Sequence, residues 1–169
     1  MHVAFFRNLN LGQRRSPSRD QLLAAFAAER ASDVLSHQGN GTVAFRAPDG
    51  RSPQDVADAV AARLVAACGY DDVVPVRPVD WMLDLDLDRL PDGCELTLFD
   101  GPAPFPEPLP WDPGRGEVTV LEADGLHAIV RNHRERRSNG TPVIEWRLGV
   151  PATSRGVGTV QRLLARLAG

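Results

Sequence analysis

The sequence predicts an α+β fold of two β-α-β-β-α-β halves, the second degraded, closed by a C-terminal helix. Three observations carry that expectation. Short apolar runs of strand length alternate with amphipathic helical stretches. Tight turn signals, Gly39-Asn40-Gly41 and Asp124-Gly125, stand between strand-like runs. Ser and Thr cap signatures precede the candidate helices.

Residues 2–7 are an apolar run of strand type, followed by a loop over residues 8–17. Ser18, with Gln21 three residues on, is a capping-box signature for a helix to about Arg30, with Leu22 and Phe26 on one face. Residues 33–38 and 42–47 pair around Gly39-Asn40-Gly41 as a hairpin. Ser52 caps a second helix with Pro53 at its first position; Val56, Val60 and Leu64 share a face, and Gly69 closes it. Residues 72–79 read as another strand, which Pro75 and Pro78 push to an edge. The order is the ferredoxin-like one, complete by about residue 80.

The second half, residues 81–169, is noisier. Residues 95–100 are strand-like, and residues 101–114 hold prolines at 102, 104, 106, 108, 110 and 113. That stretch reads as a stiff connector packed on the surface, with a polyproline-II docking segment as the alternative. Residues 117–122 and 126–131 form a second hairpin. Thr141 resembles an N-cap for a short helix over 142–148 stopped by Gly149, although its alternation also suits a strand. Thr153 or Ser154 caps a last helix, about 156–168, with Val157, Val160, Leu163, Leu164 and Leu167 on its apolar side. The boundary expected is 1–80 and 81–169, and the halves are free to pack as one unit.

At 169 residues, 43% hydrophobic and 24% charged, the composition is globular. No apolar stretch reaches the ~20 residues a membrane helix needs. The opening lacks the charged start and apolar length of a signal peptide, and Cys68 and Cys94 offer no disulfide framework, so a cytoplasmic chain is expected. All 19 basic residues are arginine. Genome composition accounts for this, and selection of guanidinium forks is the sharper alternative. Either way a Schiff-base lysine and a phosphate-loop lysine are excluded. Residues 81–124 carry 2 Arg against 11 acids, and residues 125–169 carry 8 Arg against 2 acids. Mutual neutralisation is the simplest account, and a basic face for an anionic partner is the alternative.

The loop after the first strand carries Asn8, Asn10, Gly12, Arg14 and Arg15 and leads into a helix N-terminus, so backbone N–H groups and guanidinium forks there suit a phosphate or carboxylate. Thr153-Ser154-Arg155 offers a similar seat. The plainer reading is that both segments cap helices and solvate loops. Asp84, Asp86, Asp88 and Glu95 match four positions of a calcium loop, but Arg89 stands where that loop requires glycine, so no metal is expected. Arg131, His133, Arg134, Arg136 and Arg137 form a basic run read as solvated loop, with nucleic-acid contact as the minority reading. Phe5 and Phe45 qualify by position as the stacking aromatics of an RNA-recognition sheet, but the aromatic-rich signature is absent and Tyr70 is the only tyrosine. Arg7 and Asn40 invite comparison with acylphosphatases, whose phosphate loop is missing here. Neither the two cysteines nor His2, His37, His127 and His133 assemble a triad or metal spacing.

Arg7-Asn8-Leu9-Asn10-Leu11-Gly12 resembles the Arg-Gly-Ile-Asn-Val-Gly-Gly opening of the bacterial domain-of-unknown-function 1697 family. Residues 38–45, Gln-Gly-Asn-Gly-Thr-Val-Ala-Phe, resemble its Gln-Ser-Gly-Asn-Val-Val-Phe hairpin, and residues 148–155, Leu-Gly-Val-Pro-Ala-Thr-Ser-Arg, its Leu-Gly-Val-Pro-Ala-Thr-Thr-Arg run. The resemblance implies two ferredoxin-like halves and a cytoplasmic bacterial protein, and no activity. Arg7, Asn10, Gly12, Gly39, Asn40, Thr153, Arg155 and Thr159 are the shared positions. Asn8 replaces a glycine, and Gly156-Val157-Gly158 replace an Asn-Trp-Asn.

Three functions stay open on this reading. The first is a small binding module for an anionic small molecule or nucleic acid, through Arg7, Asn10, Gly12, Asn40, Thr153 and Arg155. The second is a hydrolase or transferase of phosphate or acyl groups with Arg7, Asn40 and Arg155 as electrostatic stabilisers. The third is a structural homodimer module. No cofactor is expected in any of them.

Overall fold

The computed structural model describes residues 1–114, 116–134 and 138–169, and the chain divides into two units, Met1–Asp84 and Leu85–Gly169. In the first, strands β1 (His2–Phe5), β2 (Ser32–His37), β3 (Thr42–Arg46) and β4 (Val76–Pro78) form an antiparallel sheet in the order β2-β3-β1-β4. Helix α1 (Arg19–Ala28) lies between β1 and β2, and α2 (Pro53–Cys68) between β3 and β4.

Local chemistry sets both helix starts. The Ser18 hydroxyl accepts from the Gln21 N–H at 3.1 Å, and the Gln21 side chain accepts from the Ser18 N–H at 2.8 Å. Two N–H groups left over at the helix end are thereby satisfied reciprocally. Ser52 accepts from the Asp55 N–H at 3.0 Å, and Gly69 closes α2 at φ 75°. The helices bury Leu22, Phe26, Val56, Val60 and Leu64 against Ala4, Val43 and Phe45 of the sheet. Each such side chain contributes about 1.5–3 kcal/mol by leaving water.

The strand expected over 72–79 shrinks to the three residues of β4, after which the chain turns into α3 (Val79–Leu83). Proline is the reason: Pro75 has no N–H to donate, although its carbonyl still accepts from Phe5 at 3.0 Å. β4 does hold an edge.

The second unit repeats the strand permutation. β5 (Cys94–Phe99), β6 (Val118–Ala123), β7 (His127–Asn132) and β8 (Ala152–Gly156) are ordered β6-β7-β5-β8. Helix α4 (Gly140–Leu148) precedes β8, and α5 (Val157–Ala168) follows it. Among the described residues no helix separates β5 from β6. The proline-rich segment passes there instead and packs Ala103, Phe105 and Trp111 onto the core of Phe99, Val118, Val120, Val130 and Ile144. The fold is α+β, the second half is the degraded one, and the missing helix is what degrades it.

Two local expectations are corrected. Helix α4 begins at Gly140 with Asn139 at its N-cap, so Thr141 lies inside the helix and does not cap it. Thr153 and Ser154 sit within β8, and the N-cap of α5 is Gly156. Their capping chemistry yields to pairing with β5, where Leu98 faces Thr153, Thr97 faces Ser154 and Leu96 faces Arg155. In the Asp-Leu stretch that follows α3, Asp84 caps the helix end, and Leu87–Arg89 is one 3₁₀ turn. Among the described residues no helix is long and apolar enough to cross a membrane.

Candidate functional site: the loop after the first strand

The two family-like motifs of the first unit occupy one place. Where β1 ends, Phe6 donates its N–H to Gly41 O at 2.8 Å, and Leu11 donates to Gly39 O at 2.8 Å. The loop over 6–12 is thus laid along the turn between β2 and β3. Gly41 makes the approach possible. Its φ is +71°, and a Cβ there would stand 2.8 Å from Phe6 Cβ and 3.0 Å from Leu9 Cβ. Asn40 accepts from the Thr42 hydroxyl at 2.9 Å through its side-chain oxygen, which fixes the turn from within.

Arg7 anchors the loop from the other side. Its Nη1 lies 2.9 and 2.8 Å from the two carboxylate oxygens of Asp72, and the Asn8 amide donates to the same carboxylate at 2.8 Å. The Tyr70 hydroxyl donates to the Arg7 carbonyl at 2.9 Å. Beyond Asn8 the chain turns repeatedly on itself. Gln13 donates to Asn10 O at 3.1 Å, Ser16 to Gln13 O at 3.0 Å, and Gly12, at φ +78°, to Pro17 O at 3.0 Å. The Ser16 hydroxyl accepts from the Asn10 N–H at 3.2 Å. This leaves Asn10, Gly12, Arg14 and Arg15 exposed at the tip. Neither Arg14 nor Arg15 has a carboxylate partner among the described residues. The tip therefore presents two guanidinium groups and a carboxamide, all able to donate hydrogen bonds, on a loop of fixed shape.

Of the residues singled out from sequence, Arg7, Asn10, Gly12 and Asn40 meet here. Thr153 and Arg155 belong to the second unit. Arg155 is 7% exposed, and its Nη1 donates to the Thr153 hydroxyl at 2.8 Å and to the Ser154 carbonyl at 2.9 Å. On the opposite face of β8 the Ser154 hydroxyl lies 2.8 Å from Thr97 Oγ1 and 2.8 Å from Thr141 Oγ1. Next to them Glu95 accepts from the Gly140 N–H at 3.1 Å. Gly140 is required at that point, since a Cβ would fall 2.6 Å from Thr97 Oγ1. This polar cluster fastens the start of α4 to the sheet.

The other constellations resolve differently. Asp88 accepts from Gln161 at 2.7 Å, and among the described residues no group of three or more His, Cys, Asp or Glu is placed to hold a metal. Phe5 and Phe45 are fully buried, so neither presents a ring to a nucleobase. In the basic run His133 Nε2 lies 2.8 Å from Thr119 Oγ1, and Arg134 lies 3.4 Å from Glu117. Arg136 and Arg137 fall outside the described residues.

Two residues of consequence escaped the sequence reading. Asp72 is 65 positions from Arg7, and nothing local marks it as a partner. Trp146 is 68% exposed, whereas a tryptophan in an apolar helix pattern ordinarily signals core.

No curated protein matches the chain, and no solved structure does. A family model described as "Protein of unknown function (DUF1697)" matches residues 1–86, while the motif at 148–155 lies beyond the matched stretch. With the opening loop, the β2–β3 turn and the sheet that carries them all inside that match, the chain belongs to the DUF1697 family.

Proposed function

We propose that the protein is a small bacterial cytoplasmic binding module that holds an anionic ligand, a phosphorylated metabolite or nucleic acid, on the loop after β1. The observation that carries this reading is the exposed pair Arg14 and Arg15 without a carboxylate partner among the described residues, set on a loop tied down at both ends. In it, Asn10, Arg14 and Arg15 contact the anion, and Gly12 supplies the tight turn that presents them. Arg7 and Asn40 are positioning residues, engaged with Asp72 and Thr42. Thr153 and Arg155 are framework residues of β8, turned toward each other. Preorganisation matters because a loop already held in shape loses little entropy when it binds.

The test is a thermal-shift titration with inorganic phosphate, ribose 5-phosphate and a short single-stranded RNA. Wild-type protein melts higher as the anion concentration rises, by about 2.7 kcal/mol of added stability at a hundredfold excess over Kd. The Arg14→Ala/Arg15→Ala variant keeps the unliganded melting temperature and loses the response. A wild-type protein indifferent to all three anions overturns the reading.

A further inference from the structure

In the first unit, a helix follows the first strand and packs beside the second helix. In the second unit that position in the chain goes to the proline-rich segment. An extended segment is thinner than a helix, whose diameter is about 10–12 Å with side chains. Phe105 and Trp111 fill the core in the helix's stead, their rings 5.5 Å apart and 66° inclined. One flank of α4 stays open, and a groove of about 150 Å³ lies along it.

The groove has a defined chemistry. Pro113, Val118, Pro142 and Val143 make apolar walls. Trp146 lines it too, nearly parallel to Trp111 (17°, centroids 6.3 Å) and 68% exposed. Two polar residues complete the lining, Glu117 and Asn139. Asn139 Nδ2 is shielded from solvent and has no acceptor among the described residues. Beside the lining residue Glu117, at 3.4 Å, is the guanidinium of Arg134, more than half exposed.

We propose that this groove binds a pyrimidine nucleotide unit, the base lying on Trp146 and the phosphate on Arg134. Adenine carries no ring carbonyl and, once glycosylated, no ring N–H, whereas uracil carries both. An exposed indole is a stacking platform for a base. A pyrimidine carries ring carbonyls that accept from Asn139 Nδ2 and, in uracil, a ring N–H that donates to Glu117. A guanidinium beside these groups matches the phosphate that every nucleotide carries. The nucleotide is free, or it is one residue of a single-stranded RNA; the chemistry is the same. This site lies in the second unit and stands independently of the loop after β1.

Calorimetric titration of the full chain with uridine monophosphate, uridine, adenosine monophosphate and a short oligouridylate tests it. Uridine monophosphate binds, adenosine monophosphate binds more weakly, and Trp146→Ala costs about tenfold, the effect of one lost stacking contact. Trp146→Phe retains most of the affinity. Arg134→Ala weakens uridine monophosphate while leaving uridine unchanged, the split expected if the arginine holds phosphate. Tighter binding of oligouridylate identifies RNA as the source, and equal binding identifies the free nucleotide; both support the site. Unchanged affinity in Trp146→Ala, equal affinity for the adenine nucleotide, no binding at millimolar concentration, or loss of binding in Arg14→Ala/Arg15→Ala instead would each overturn it.

Discussion

Arg7 and Asp72 join the end of β1 to the approach of β4, with one guanidinium nitrogen 2.9 and 2.8 Å from the two carboxylate oxygens. The side chains are 25% and 16% exposed, so water screens the pair only in part. The link closes a path 65 residues long, and Asn8 joins it through the same carboxylate.

Arg7→Ala therefore lowers stability by about 2 kcal/mol, in the range for a hydrogen bond to a charged group. Asp72→Ala costs more, because it also releases the Asn8 amide and the Val73 N–H. The double variant costs little more than Asp72→Ala alone, because the Arg7–Asp72 contact is lost in both single variants. Urea denaturation of all three variants measures this. Additive losses would show that the two side chains act separately.

Gly41 and Gly12 are both at positive φ, +71° and +78°, yet only Gly41 is crowded. Gly12→Ala pays for backbone strain alone, about 1–2 kcal/mol. Gly41→Ala adds the overlap with Phe6 and Leu9 and loses about 3 kcal/mol or more. Comparing their melting temperatures checks the ranking. Equal losses would mean the loop shifts freely away from the turn.

Asp124 ties the β6–β7 turn together. Its carboxylate accepts from the N–H groups of Leu126 at 2.6 Å and His127 at 2.8 Å and lies 2.9 Å from His127 Nδ1. Burial pushes its pKa up, and these hydrogen bonds with the His127 charge outweigh that, leaving it below the ordinary 3.8. A depressed folded value gives stability that is complete above the ordinary value and is lost as pH falls through the folded one. The stability gap between wild type and Asp124→Ala accordingly narrows on acidification below about pH 4. Denaturation curves at neutral pH and near pH 3 show it, and a gap that stays constant would contradict the assignment.

The two cysteines differ in reactivity. Burial pushes the Cys94 thiol up, and Asp92, Glu122 and Glu95 add to the effect against Arg131. Cys68 is half-buried near the end of α2 and donates to Leu64 O at 3.2 Å. A thiol-alkylating reagent at neutral pH labels Cys68 first and Cys94 only on unfolding, because the thiolate is the reactive form. Mass spectrometry of briefly labelled protein reads the order directly, and simultaneous labelling excludes it.

What was legible in the sequence was local. Ser18 with Gln21, Ser52 with Pro53, and Gly69 announce their helix ends because each makes its hydrogen bonds within a few residues. β8 was not legible, because Thr153 and Ser154 are equally good cap residues and only β5, more than fifty positions upstream, turns them into a strand. The start of α4 was misread for a related reason: Gly140 is placed by Glu95, far away in sequence. The loop of the candidate site was visible as a cluster of polar and basic residues. Which arginine it exposes and which it binds internally was not, since Asp72 decides that from the far end of the unit.

The lone bridge between Trp111 and Val120, with N–H to O distances of 2.9 and 2.8 Å in the two directions, has a consequence for solubility. It lies on the outer side of β6, the border strand of its sheet. Pro110 and Pro113 flank the bridging residue, and neither can donate a ladder hydrogen bond. Neighbouring molecules thus find at Val120 a backbone already paired and a rim that cannot extend, so strand-by-strand intermolecular growth is blocked there.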